Sequence, residues 1–252
     1  MSDENKGAVA SFMGGGALSI GKAEMAAALN ESAQAGGTGS GDVDYLSFSG
    51  QGANYKGWTI GRDKVAPEPD AIYILDPKSA IEGWITWKGG APVEKHSWSV
   101  YERKTQAVPQ SQLVDHGPYA DGDGPQFSMG ISMLDIDAPG NKIEFSSSSK
   151  SGRNVLADLN KEIAKRIMGD EPFVPIITLT SEKFVAHGKT NGKPKFGFEG
   201  WVTEEEVMAF LAAGDDGDLE DLLTGKYAAG EEVVEEPEEA APAKRRARRS
   251  AA

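Results

Sequence analysis

All five tryptophans of this 252-residue chain, Trp58, Trp84, Trp87, Trp98 and Trp201, lie in its middle, away from both ends. A folded core needs large apolar side chains, because their burial is what offsets the entropy of ordering the backbone. The ends are poor in such groups. Residues 1–42 are rich in Gly, Ala and Ser, and residues 213–252 in Asp, Glu, Ala and Arg. The sequence therefore predicts one domain over residues 43–212, a flexible segment over 1–42 and a disordered tail over 213–252. Within the first segment, Lys22–Asn30 reads as a short helix and Gly36–Gly41 as a linker.

Charge follows the same division. The formal net charge is -13, yet residues 43–212 hold 18 Lys/Arg against 23 Asp/Glu. Residues 214–239 hold 11 acids and a single lysine, Lys226, so the tail supplies most of the excess. It then changes sign in a basic block, Lys244, Arg245, Arg246, Arg248 and Arg249. The domain is nearly balanced, and a basic groove on it remains compatible with an acidic whole.

From Asp44 the pattern is one of short apolar or alternating runs punctuated by Gly, Pro and Asp, which predicts strands. These are Tyr45–Phe48, Trp58–Ile60, Ala71–Leu75, Gly83–Trp87, Val93–Tyr101, Phe127–Ile136, Ile143–Ser147, Pro175–Thr180, Lys183–Gly188 and Lys195–Val202. Lys88-Gly89-Gly90-Ala91-Pro92 and Asn191-Gly192 read as hairpin turns, and residues 105–125 as a long loop. One strong helix is expected from about Arg153 to Met168, begun by Ser151 or Gly152 and ended by Gly169. Leu156, Leu159, Ile163 and Ile167 form its apolar stripe. A second, shorter helix starts at Thr203, which has capping-box spacing to Glu206. The expected fold is mainly β: an OB-like, partly closed antiparallel barrel with one major helix and disordered termini. A β-sandwich with a peripheral helix is the alternative.

Several chemistries lack their residues. There is no cysteine, hence no disulfide, thiolate metal site or cysteine nucleophile. His96, His116 and His187 lie in separate segments without zinc-ligand spacing. Asp121, Asp123, Asp135 and Asp137, like Asp215-Asp216-Gly217-Asp218, do not continue into a calcium loop and read as turn or strand-end carboxylates. Gly16, Gly21 and Lys22 have phosphate-loop spacing, but Ala23 replaces the Ser or Thr that would hold magnesium. No Gly-x-Ser-x-Gly elbow is present. The chain is read as a binding protein, not an enzyme, with no cofactor and no metal. No apolar run is long enough to span a membrane, and the polar start from Met1 to Lys6 has no signal-peptide core behind it, so the expected location is the cytoplasm.

What remains is aromatic residues interleaved with basic ones. The first set is Tyr55, Lys56 and Trp58 with Arg62 and Lys64. The second is Trp84, Trp87, Lys88, Lys95, Trp98, Tyr101 and Arg103. The third is Lys183, Phe184, Lys189, Lys193, Lys195, Phe196 and Phe198. Single-stranded nucleic acid calls for this mixture, since bases stack on flat side chains while cations follow the phosphates. The candidate stacking residues are Trp58, Trp84, Trp87, Trp98 and Phe196, and the candidate phosphate ligands are Arg62, Lys64, Lys88, Lys95, Lys193 and Lys195. Alternating aromatics on strands are also the ordinary composition of a core face. About half of them are expected inside, and Trp84 and Trp87 are expected on opposite faces.

The runs Tyr45–Gly50, Ile60–Lys64, Glu82–Gly90, Asp115–Tyr119 and Ser149–Asn154 resemble proteins encoded by tailed bacteriophages, over about residues 44–202. The resemblance is to single-stranded-DNA-binding and replication or recombination accessory proteins. It implies a sequence-tolerant single-stranded-DNA-binding protein of the infected host's cytoplasm, with the acidic tail competing for the basic groove or docking replication or recombination partners. The tail departs from such proteins by ending in a basic block. The alternative is a virion or host-interaction protein that uses the β-domain to bind another protein.

Overall fold

The computed structural model describes residues 44–50, 56–138, 141–186, 188–214 and 217–227. The N-terminal helix and linker, the Gly16–Lys22 spacing, Tyr55, His187, Asp215, Asp216 and the tail from residue 228 with its basic block lie outside the described residues. Among the described residues eight strands are formed: β1 (Asp44–Ser49), β2 (Gly57–Ile60), β3 (Ile72–Lys88), β4 (Ala91–Ser99), β5 (Gly124–Asp135), β6 (Lys142–Ser147), β7 (Val174–Ala186) and β8 (Lys189–Val202). The helices are α1 (Arg103–Gln106), α2 (Lys150–Met168), α3 (Glu204–Ala213) and α4 (Leu219–Leu223).

The strands follow the order β2-β1-β6-β5-β3-β7-β8, with β4 paired to β3 off that path. The ends of the path meet. Gly192 N–H donates to Gly50 O at 2.8 Å, and Trp58 Nε1–H donates to Thr180 O at 2.6 Å. The approach is so close that a Cβ on Gly50 would fall 2.2 Å from Gly192 O. The chain is thus mainly β, a nearly closed OB-like barrel of mixed strands. One pairing differs from an all-antiparallel expectation: β1 runs parallel to β6. A parallel neighbour requires a long return connection, and the whole β2–β5 stretch supplies it.

Strand alternation divides the apolar residues between two layers. Tyr73, Leu75, Ile131, Met133, Phe145 and Ile177 pack inside the barrel with Leu156, Leu159, Ile163 and Ile167 of α2. Ile74, Leu134, Val174, Ile176 and Val202 form a second cluster with Val207, Phe210, Leu211 and Leu222 of α3 and α4. Helix α2 starts three residues before the expected Arg153, because Ser149 is the cap that accepts from Gly152 N–H at 3.1 Å. Gly169 ends it as expected. The capping box of Thr203 and Glu206 is present in full.

Two boundaries move. The folded unit does not stop at residue 212: Asp218 caps α4, Leu222 is fully buried, and Tyr227 packs edge-on against Phe210. Three apolar groups, Leu219, Leu222 and Tyr227, bring this acidic stretch onto the domain. The last hairpin also turns earlier than Asn191-Gly192. Ala186 pairs with Lys189, and Gly188 has φ of 71°. Asn191 and Gly192 are paired strand residues opposite Phe184 and Lys183. The Gly89-Gly90 turn, with φ of 62° and 75°, is where the sequence places it.

Candidate nucleic-acid interface

The early turn of the β7–β8 hairpin sets the register that builds the site. Glu182 lies opposite Lys193, and Lys195 lies opposite Thr180, one diagonal step away. Lys193 Nζ is 3.1 Å from Glu182 Oε1, and Lys195 Nζ bonds Oε2 of the same carboxylate. The Lys195 and Lys193 ammoniums hold the Glu182 carboxyl below the usual carboxylate range. The first two turns of α2 face this hairpin. Between them runs an open cleft of about 530 Å3. Lys150 and Asn154 line one wall, and Phe184, Lys193, Pro194 and Lys195 the other. The Phe184 ring is 43% exposed. Ser149 also borders the cleft, but its hydroxyl is already spent on the helix cap.

Three lysines, one acid, Asp158, and one exposed phenylalanine therefore border a single cleft. Two of the three lysines share one exposed carboxylate, Glu182. An exposed ion pair of this kind contributes only about 0–1 kcal/mol, so an incoming anion can take the place of Glu182 at small cost.

The eleven residues singled out in the sequence do not form one groove. Trp58, Trp98 and Phe196 are buried in the core and are corrected as stacking residues, since a ring enclosed on both faces has none to offer a base. Trp58 meets Phe48 and Phe145 edge-on and stacks on Phe196. Trp98 donates from Nε1 to the fully buried Glu82 at 2.8 Å, and Arg103 Nε binds the same oxygen at 2.9 Å. Trp84 and Trp87 take opposite faces of β3, as strand parity requires. Trp84 is half-buried, edge-on to Phe127, with Nε1–H bonded to Val108 O at 2.9 Å. The stretch around Val108 therefore covers it. Trp87 is half-buried as well.

The cations are dispersed too. Arg62 and Lys64 are exposed in the turn after β2, beside the start of β1, where Gly61 N–H donates to Tyr45 O. The β7–β8 hairpin meets the chain at Gly50, just past the other end of β1. Five residues of extended chain separate Tyr45 from Gly50, about 17 Å. Lys88 sits at the far tip of β3 and is bonded to the backbone oxygen of His116. Lys95 is exposed on β4. Only Lys193 and Lys195 are brought together. Among the described residues no group of three or more His, Asp or Glu could hold a metal ion. His96 and His116 both contact Glu94, at 2.8 Å and 3.2 Å, which fastens the loop around His116 over β4.

Comparison of the chain with protein-family models, with curated proteins and with solved structures finds no match. Lys150, Glu182 and Phe184 of the site were not among the sequence candidates. Phe184 was visible in the third aromatic–basic set. Glu182 was not, because its partnership with both lysines depends on a turn placed four residues earlier than the strongest turn signal.

A second group assembles on the opposite face of β8, toward the end of α2. Phe198 stacks on Trp201 with centroids 5.2 Å apart and planes 13° from parallel. Arg166 of α2 lies over the Trp201 ring at 4.2 Å. Arg166 is itself held by Glu171 at 3.3 Å and by Pro172 O at 3.3 Å.

Proposed function

We propose that this domain binds single-stranded DNA without strong sequence preference, through the cleft between the start of α2 and the β7–β8 hairpin. The observation that carries the reading is the convergence of Lys150, Lys193 and Lys195 with the exposed Phe184 ring on one open cleft. Lysines at this spacing take successive phosphates, and the ring takes a base. Glu182 occupies Lys193 and Lys195 when no strand is present, and with Asp158 of the cleft lining it leaves the free site net positive by one charge. Among the described residues no helix is long and apolar enough to cross a membrane.

The test is anisotropy of labelled oligo-dT titrated with the full-length chain across a salt series. The wild type should bind at micromolar protein and low salt. Replacing Lys193 and Lys195 together by alanine should weaken binding. It should also flatten the plot of log affinity against log salt by about 0.7 per lost phosphate contact, about 1.4 in all. A wild-type chain that binds no oligo-dT under these conditions overturns the reading, as does a double variant with an unchanged slope.

A further inference from the structure

We infer that Asp158, with Asn154 one helical turn before it, makes the lysine cleft prefer guanine among the bases of a single strand. This rests on the single-strand reading of that cleft and adds a preference at one position to its tolerant binding.

The cleft holds a carboxylate where phosphates are to bind. Asp158 lines it together with Lys150, Lys193 and Lys195. The residue is exposed on α2, outside the apolar stripe that packs the helix into the barrel. Glu182 already bridges Lys193 and Lys195, and among the described residues Asp158 takes part in no ion pair. It therefore serves neither the packing of the helix nor the resting state of the lysines. An ionised carboxylate repels phosphate and only accepts hydrogen bonds. In a DNA strand the donors within its reach are N–H groups of the bases, and a single strand leaves their Watson–Crick edges open.

The bases differ in what they offer on that edge. Thymine has one N–H between two carbonyl oxygens, which a carboxylate repels. Adenine and cytosine each have one amino group beside a bare ring nitrogen. Guanine has two N–H groups side by side, on N1 and N2, and two parallel donors suit the two oxygens of one carboxylate. Beside them it carries the acceptor O6. Asn154 is exposed on the same wall of the cleft, four residues before Asp158. Helical side chains so spaced have Cβ atoms about 5–6 Å apart. The Asn154 amide can thus donate to O6 while Asp158 accepts from N1 and N2. Across the cleft the exposed Phe184 ring takes the face of the same base.

The test is anisotropy of four labelled strands of equal length titrated with the full-length chain: oligo-dT, and oligo-dT in which every third base is guanine, hypoxanthine or adenine. Hypoxanthine is guanine without its N2 amino group. The wild type should bind the guanine strand about 5- to 150-fold more tightly than oligo-dT, the range for one bidentate base contact. The hypoxanthine and adenine strands should fall between. Asp158→Ala keeps the helix, since alanine is its best former. This variant should bind oligo-dT more tightly than the wild type, because a negative charge has left the cleft, and should lose the preference for guanine. A carboxylate acting by its charge alone would weaken every strand equally, so the ratio of affinities decides. The inference is overturned if the wild type shows no preference for the guanine strand, if Asp158→Ala keeps that preference, or if hypoxanthine binds as tightly as guanine. In each case oligo-dT binding by the wild type leaves the single-strand reading standing. An Asn154→Ala chain with the wild-type ratio overturns the part given to Asn154. A wild type that binds none of the four strands removes the reading beneath the preference and the preference with it.

Discussion

Replacing Trp58 by alanine should lower the stability of the domain by about 3–5 kcal/mol, the range for removing a large aromatic side chain from a packed core. Trp58 is only 6% exposed. It touches three aromatic rings from three different strands, Phe48 of β1, Phe145 of β6 and Phe196 of β8. Its indole N–H also joins β2 to Thr180 of β7 across the seam where the barrel closes. Alanine would leave a cavity, an unpaired carbonyl and a weakened closure at once. Urea unfolding followed by far-UV circular dichroism measures the effect. A Trp58→Ala domain as stable as the wild type would contradict the placement of this ring in the core.

The second large effect concerns Asp76, which is 3% exposed. It sits where β3 breaks register against β5, between Asp76 and Ile81. Its carboxylate accepts from Lys78 N–H at 2.9 Å. Burial pushes its pKa from the ordinary 3.8 up to about 7, and the backbone bond from Lys78 and the charge of Lys142 only partly oppose this. The folded domain therefore keeps the proton over a pH range in which the unfolded chain has lost it. The stability contributed by the neutral carboxyl is fully present below about pH 4 and is lost as pH rises through about 7. Roughly three pH units at 1.36 kcal/mol each set an upper bound of about 4 kcal/mol. Asp76→Asn keeps an oxygen acceptor for Lys78 and cannot ionise. It should match the wild type near pH 4 and exceed it by about 2–4 kcal/mol at pH 8. Urea midpoints at the two pH values decide the matter, and parallel pH profiles for the two chains would refute the assignment.

Much of the fold was legible because it follows from local chemistry. The stripe Leu156, Leu159, Ile163 and Ile167 gave α2, the box of Thr203 and Glu206 gave α3, and Gly89-Gly90 gave the β3–β4 turn. All three depend on residues within a turn or two of one another. The acidic stretch after Gly214 was misjudged because its average is that of a disordered tail. Its burial rests on a few apolar side chains, Leu219, Leu222 and Tyr227 among them, which composition dilutes. The β7–β8 register was misjudged because Asn191-Gly192 is an excellent turn in isolation. The long pairing with β7 outweighs that local preference and carries the residues into a strand.

The site was less legible than the fold, for a related reason. An aromatic residue between lysines on a strand reads the same whether its ring points into a barrel or out of it. Trp58 and Phe196 point in, while Phe184 and Phe198, with similar neighbours in sequence, are wet. Barrel curvature and the position of α2 decide between them, and both are set by distant contacts. The same holds for Glu182, whose role appears only once β8 is paired.

The central claim, that a single strand lies along the cleft between α2 and the β7–β8 hairpin, is tested most directly by lysine acetylation of the full-length chain with and without saturating oligo-dT, read residue by residue by mass spectrometry. Lys150, Lys193 and Lys195 should lose reactivity when the strand is bound, while Lys64, at the far end of β1, and Lys88, at the tip of β3, should react as before. Protection of Lys64, Lys88 or Lys95 with Lys193 and Lys195 still reactive would contradict the account.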